Sequence, residues 1–176
     1  MPNADVQWDI QALTKKHDRE AFDSGEPALD EFIKKHARQN AERGASRTFV
    51  AVRQGSRLVE GYYTLRSGQV AFDVLPDEDR RRLPRYPVPV VHLARLAVTR
   101  GARGLGLGET LLMHALSKAL VVEREIGVYA IEVVAKTGQA RAFYAKYGFQ
   151  ALLDDQLHMY VSTHAVKVAL GVAEKR

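Results

Sequence analysis

The stretch 103-RGLGLGE-109 limits what this chain can fold into more than any other, because it places three glycines in seven residues between two strongly apolar segments. Before it runs 90-VVHLARLAV-98, a continuous apolar stretch of the kind that forms a buried strand. After it, Leu111, Leu112, Ala115, Leu116 and Ala119 recur at helical spacing, and 127-GVYAIEVVA-135 is a second buried-strand candidate. Strand, glycine loop, helix and strand together make a βαβ unit. A helix start leaves backbone N–H groups unpaired at the positive end of the aligned peptide dipoles, so it attracts anions. Gly104, Gly106 and Gly108 carry no β-carbon to hold a ligand away and permit backbone angles that other residues avoid. A pyrophosphate fits that description. A tight strand-to-helix turn using glycine for geometry alone is the other reading of the same residues. The spacing is not G-x-G-x-x-G, and a Walker lysine is absent.

The rest of the chain is read by period. Residues 6–13 suit a first strand, and 26-EPALDEFIKKHARQNAERG-44 places Leu29, Phe32, Ile33 and Ala37 on one helical side, with Gly44 as a stop. The β-rich segments 47–53 and 58–74 flank a QGS turn and are expected as central strands. Residues 76–90, with four prolines and Arg80, Arg81, Arg82 and Arg85, are expected as a surface loop. A short helix over 139–149 and a closing hairpin from 149–153 and 157–163 complete an α/β (α+β) architecture: one mixed sheet with helices on both faces.

With 176 residues and 46% hydrophobic content, a single domain over 1–176 is expected. No segment has the apolar length of a membrane span, and MPNADVQWDI has neither a basic nor an apolar leader region, so a cytoplasmic protein without membrane contact is expected. The chain has no cysteine, which excludes disulfides, thiolate nucleophiles and cysteine-ligated zinc. The net charge of +5 tilts the expected partner toward an anion such as nucleic acid or a phosphorylated cofactor. His17, His36, His92, His114, His158 and His164 are scattered without the ligand spacing or carboxylate company of a metal site, and no metal is expected.

Read as R-x-x-G-x-G, Arg103, Gly106 and Gly108 resemble the coenzyme A pyrophosphate loop of the GNAT superfamily of N-acetyltransferases, and 95-RLAV-98 resembles the strand before it. The segment 140-ARAFYAKYGF-149 resembles the superfamily's A-x-x-F-Y-x-K-x-G-F motif. More widely, 17-HDREAFDSGEPALDEFIKKHARQ-39, 47-RTFVAV-52, 61-GYYTL-65, 84-PRYPVPV-90 and 95-RLAV-98 resemble the GNAT toxins of bacterial toxin-antitoxin modules.

The resemblance implies a GNAT fold: a largely antiparallel twisted sheet with a splayed central strand pair. It implies acetyl-CoA as donor, held by Leu96, Ala97, Val98, Arg103, Gly104, Leu105, Gly106, Leu107, Gly108, Glu109 and Phe143. It implies Tyr144 as the residue that hydrogen-bonds or protonates the departing thiolate; a core aromatic beside Phe143 is its plainer reading. It further implies acetylation of the α-amine of aminoacyl-tRNA, a ribbon-helix-helix antitoxin as partner, operator DNA bound through that antitoxin, and a homodimer. The superfamily often has asparagine where this chain has Thr137. For tRNA the candidate cations are Lys34, Lys35, Arg38, Arg81, Arg82, Arg85 and Arg95, with Arg43, Arg47 and Arg80 beside them. Glu109, Glu132, His92 and His114 are the ionisable residues near the motifs, and none is singled out as a general base. Acetylation of a small-molecule or protein amine, and a catalytically silent coenzyme A-binding regulator, are the alternatives.

Overall fold

The computed structural model describes residues 6–172. The expectation about the chain's amino end therefore falls partly on residues 1–5, outside the described residues. Seven strands, β1 (Trp8–Ala12), β2 (Arg47–Arg53), β3 (Gly61–Val70), β4 (Val88–Val98), β5 (Ala130–Val134), β6 (Gln150–Ala151) and β7 (His158–Ser162), form one sheet in the hydrogen-bonded order β1-β2-β3-β4-β5-β7-β6, mostly antiparallel. By its internal contacts the chain divides into two compact units, Met1–Arg66 with Leu93–Ala115, and Ser67–His92 with Leu116–Arg176.

In the first unit, β1 (Trp8–Ala12) pairs antiparallel with β2 (Arg47–Arg53), and β2 pairs antiparallel with the first half, Gly61–Leu65, of β3 (Gly61–Val70). The alternation of Thr48, Val50 and Val52 drives β2 into the interior, where the hydroxyls of Thr48 and Thr64 satisfy each other at 2.8 Å. The expected helix over 26–44 forms as α1 (Pro27–Glu31), a wider π turn (Phe32–His36) and α2 (Ala37–Glu42), ending at Gly44 with φ +71. In the π turn the Ala37 N–H reaches the Phe32 carbonyl five residues back. That wider turn carries both Phe32 and Ala37 into the core, alongside Phe22, Leu29, Ile33, Val50, Val59, Tyr62 and Ala97. Gly61 is fixed by packing: a Cβ there would lie 2.9 Å from Leu107 Cδ2 and from Leu111 Cδ1. The bare backbone lets the long helix lie close to β3, and a side chain there would require both leucines to shift.

The second unit is built on β5 (Ala130–Val134), paired antiparallel with β7 (His158–Ser162), which pairs in turn with β6 (Gln150–Ala151). Its core contains Val70, Leu75, Val88, Val90, Ala130, Leu152 and Tyr160. Three expectations are corrected here. The strand expected over 58–74 is β3 alone, and Phe72–Val74 forms a 3-10 turn. The loop expected over 76–90 opens with one helical turn, α3 (Asp77–Arg80), after Pro76, and closes early because β4 begins at Val88. Proline followed by three acidic residues is a helix-start pattern, with the carboxylates at the positive end of the dipole. The last strand ends at Ser162, and α6 (Thr163–Leu170) follows, capped by the Ser162 hydroxyl and by Gly171 at φ +66.

Candidate active site

Strand β4 (Val88–Val98) leads through a 3-10 turn (Arg100–Ala102) into the glycine loop and then α4 (Leu107–Glu125). Gly104 and Gly106 have φ +76 and +82, and a Cβ at either would meet nothing within 4 Å. Their need for glycine is thus backbone conformation together with an open approach. Gly108 lies inside the first turn of α4, so the conformational argument applies to two glycines rather than three. The Thr110 N–H makes its helical bond to the Gly106 carbonyl at 3.1 Å, which leaves the amides of Leu107, Gly108 and Glu109 ahead of it at the helix mouth. This open, amide-lined end suits a phosphate group. Leu107 can offer only its amide, because its side chain is 1% exposed in the core. Glu109 is exposed, and Leu105 is half-buried.

Arg103 is partly engaged. Its guanidinium donates to the Ser24 carbonyl, and Arg100 Nε lies 3.4 Å from Asp23 Oδ1. The two arginines crowd Gly25, whose φ is +88. The turn 23–25 is thereby clasped to the glycine loop, a contact across some 79 residues of sequence that no local pattern encodes. A guanidinium has five N–H donors, so most of those on Arg103 remain for a ligand. Of the expected β4 contacts, Ala97 is buried, while Leu96 and Val98 are half-buried. On the same strand the Arg95 guanidinium stacks over the Phe32 ring at 3.6 Å, and burial shifts its pKa downward.

In the second unit, α5 (Gly138–Lys146) carries the aromatic motif. Thr137 caps it, its hydroxyl accepting from the Ala140 N–H at 3.1 Å. This gives the threonine a structural task at the place where the superfamily often has asparagine. Gly148, at φ +92, turns the chain so that the Phe149 N–H reaches the Tyr144 carbonyl at 3.2 Å. Tyr144 is 8% exposed between the edges of Phe143 and Phe149, with ring centres 5.3 and 5.4 Å away. Phe143 and Tyr147 are only half-buried, so Tyr144 is the core-facing member of the trio. Burial pushes its phenol up to about 12. Among the described residues its hydroxyl has no hydrogen-bond partner, and it is not one of the sealed orphans, which are Trp8 Nε1, Ser46 Oγ and Glu123 Oε2.

The basic residues divide by environment. Lys34 lines a polar cleft of about 490 Å³ with Lys15, His17, Asp18, Arg19 and Glu20. Lys35 and Arg38 pair with Glu31 and Glu42 at 3.7 and 3.6 Å, i,i+4 contacts to exposed glutamates that water and salt weaken, with Arg38 itself half-buried. Arg81, Arg82 and Arg85 are exposed beyond α3. Arg80 is paired with Asp77. The anchor of this segment is Asp79, which accepts from the hydroxyls of Tyr129 and Tyr160.

One expectation is overturned. His92 and His158 do have carboxylate company: His92 Nδ1 lies 2.6 Å from Glu132 Oε1, His158 Nε2 lies 2.5 Å from Glu132 Oε2, and His158 Nδ1 lies 2.9 Å from Asp154 Oδ2. Strand pairing builds this cluster from residues far apart in the sequence. It is a chain rather than a convergent shell, and among the described residues no three such side chains are placed to hold a metal. Burial alone would raise the Glu132 pKa, but the two imidazoles outweigh it and the net shift is downward. Burial would likewise lower His158, but its two carboxylates raise it. His17 and His114 are structural: His17 bridges Thr14 and Gln11, and His114 Nδ1 lies 2.7 Å from the Tyr63 hydroxyl.

The amide-lined, glycine-bent helix mouth suits a phosphorylated ligand, and the sequence comparisons give the class of protein that carries it. An acetyltransferase (GNAT) domain matches residues 44–151, and the chain belongs to the GNAT acetyltransferase family. It is 41% identical over 159 residues to a tRNA-acetylating toxin of Mycobacterium tuberculosis, covering 90% of this chain and 94% of that one. The AtaT toxin complexed with acetyl-methionyl-tRNAfMet matches with a TM-score of 0.87 and 28% identity, over 93% of this chain and 99% of that one. A tyrosine-to-phenylalanine mutant of KacT matches with a TM-score of 0.88 and 27% identity over the same shares. A tyrosine-to-phenylalanine mutant of AtaT bound to the C-terminus of the antitoxin AtaR matches with a TM-score of 0.80, AtaTR bound with acetyl-CoA with 0.81, and the AtaT-AtaR complex bound to DNA with 0.73.

Proposed function

We propose that this protein is a toxin-antitoxin toxin that transfers the acetyl group of acetyl-CoA to the α-amine of the amino acid carried by tRNA, and so blocks translation. The observation that carries this reading is the likeness to a tRNA-acetylating toxin over nine-tenths of the chain, joined to a glycine loop whose geometry suits a pyrophosphate.

The donor is held by the amides of Gly104 to Glu109, the free donors of Arg103, the backbone of Leu96, Ala97 and Val98, and the half-buried face of Phe143. Tyr144 acts on the leaving sulfur. With its phenol near 12 and a thiol near 8.5, full proton transfer would be uphill by about 5 kcal/mol, so Tyr144 keeps its proton and donates a hydrogen bond to the developing charge. The acceptor α-amine has a pKa of about 8 and is substantially neutral at cytosolic pH. Lys34, Lys35, Arg38, Arg81, Arg82 and Arg85 contact RNA phosphates, and Arg95, fixed on Phe32, meets the acceptor end.

The partners follow the same reading: a ribbon-helix-helix antitoxin, operator DNA reached through it, and a second copy of this chain. A cytoplasmic location is supported by the tRNA substrate, and among the described residues no helix is long and apolar enough to cross a membrane. The test is incubation with labelled acetyl-CoA and total charged tRNA. Label released from RNA as N-acetyl amino acid is expected, and Tyr144→Phe lowers the rate about 100-fold with acetyl-CoA affinity unchanged. Label confined to small amines or protein would replace this reading with the corresponding acetyltransferase.

A further inference from the structure

We propose that the polar cleft beside the π turn is a ribose-phosphate subsite: Lys15, Arg19 and Lys34 take a phosphate of the tRNA backbone, and Glu20 and Asp18 accept from the 2′-hydroxyl of the ribose beside it. The inference rests on the tRNA reading above and gives it a means of telling RNA from DNA.

The cleft lies wholly within the first unit, and its space of about 490 Å³ is on the scale of a nucleotide rather than of a single ion. Main-chain fastenings build it before any ligand arrives. Arg19 Nη1 donates to the Ile33 carbonyl at 2.8 Å, which ties the wall formed by residues 15–20 to the π turn that carries Lys34. The Asp18 N–H donates to the Arg57 carbonyl at 2.8 Å, and its own carbonyl accepts from the Val59 N–H at 2.9 Å. His17 holds the turn that presents Lys15: its Nδ1 accepts from the Thr14 N–H at 3.0 Å, and its Nε2–H donates to Gln11 Oε1 at 3.0 Å. Burial and then the Lys16 charge lower the His17 pKa, so this ring supplies framework and no charge.

On this frame the charged ends stay available. Three cations and two carboxylates line one cleft, yet among the described residues none of the five makes an ion pair. Lys15, Asp18, Glu20 and Lys34 are exposed. Asp18 uses Oδ1 to accept from the Glu20 N–H at 3.2 Å and keeps Oδ2. Arg19 retains donors beyond the one given to Ile33. The neighbouring Arg38 adds to burial in lowering the Arg19 pKa, and an arriving anion offsets that repulsion.

The mixture of signs identifies the ligand. A site for phosphate alone gains nothing from carboxylates, which repel it. A ribose-phosphate unit presents an anion and a hydroxyl donor a few atoms apart, so cations suit the first and an acceptor-only carboxylate suits the second. The 2′-hydroxyl is the group that RNA has and DNA lacks. The phosphorylated ribose of the acetyl donor offers the same chemistry, and the experiment separates the two sources.

The experiment uses the full chain and measures binding of total tRNA, of an RNA hairpin and its all-deoxyribose counterpart, and of acetyl-CoA. Lys15→Ala with Lys34→Ala should weaken tRNA binding about tenfold and make its logarithmic salt dependence shallower by about 1.5. Glu20→Ala is the deciding variant, because deleting a negative charge tightens binding to any cleft that merely attracts polyanions. Here it should weaken the RNA hairpin about tenfold, leave the DNA hairpin no weaker, and so narrow the preference for RNA. Acetyl-CoA affinity should be unchanged in every variant. Tighter or unaltered RNA binding in Glu20→Ala, unaltered tRNA binding in the lysine pair, or a loss of acetyl-CoA affinity in place of tRNA affinity overturns the inference. Wild-type protein that binds tRNA but leaves charged tRNA unlabelled overturns the acetyl-transfer reading and not the subsite.

Discussion

The glycine loop of the first unit and the histidine-carboxylate chain of the second are opposite solutions to placing charge. The loop presents fixed partial charges on main-chain amides, and its shape depends on Gly104 and Gly106 at φ +76 and +82. No proton need come or go for it to bind an anion, and no single side chain supplies its charge. The chain through His92, Glu132, His158 and Asp154 is made wholly of side chains whose charges depend on pH, linked at 2.5 to 2.9 Å. One half is suited to grip a phosphorylated ligand without any change of protonation, whereas the other is held together by charges that its members lend one another. Main-chain sites fail through backbone strain, and side-chain sites fail one group at a time.

The sharpest way to break this contrast is to strain the loop. Gly104→Val with Gly106→Val forces two β-branched residues into the left-handed region, at roughly 1–3 kcal/mol each, and should weaken acetyl-CoA binding about 100-fold or more by calorimetry. The pH profile of the residual activity should keep its shape.

The next effect belongs to the cluster. The raised pKa of His158 contributes stability below its ordinary value near 6.5, and that contribution fades as pH rises through the folded-state value. The lowered pKa of Glu132 contributes above its ordinary 4.5 and fades as pH falls through its folded-state value. Wild-type stability from urea denaturation should therefore exceed that of His158→Gln most clearly between roughly pH 4.5 and 6.5, with the gap narrowing at higher pH. A constant gap would mean that packing, not charge, holds the cluster. The smallest effect is expected at Thr137→Ala, which removes the α5 cap and should cost about 0.5–1 kcal/mol in the same assay.

What could be read from the sequence follows the same division. The glycine loop, α4 and β2 are legible because their patterns are complete within a dozen residues. Tyr144 is legible by its motif, but its burial is not: periodicity puts Phe143 and Tyr147 on the apolar stripe, whereas the turn at Gly148 folds Phe149 back onto Tyr144. The π turn escapes a 3.6-residue template. Helix α6 shows only Val166 and Thr163 as buried positions, and its signals were the caps, Ser162 and Gly171. The histidine chain is set by the register in which Val134 pairs with His158 and Glu132 with Tyr160, and residue types alone do not specify that alignment. The Arg103 clasp on Ser24 is hidden for the same reason.

Asp79 gives the arginine-rich segment a further property. With its two carboxylate oxygens taken by the hydroxyls of Tyr129 and Tyr160, the turn that carries Arg81, Arg82 and Arg85 is moored to β7 and to the chain just before β5. A polyanion arriving there meets cations on a root that is already rigid, so the loss of freedom on docking falls mainly on the arginine side chains rather than on the loop. Capture at this place should then be fast and sensitive to ionic strength, with little conformational lag.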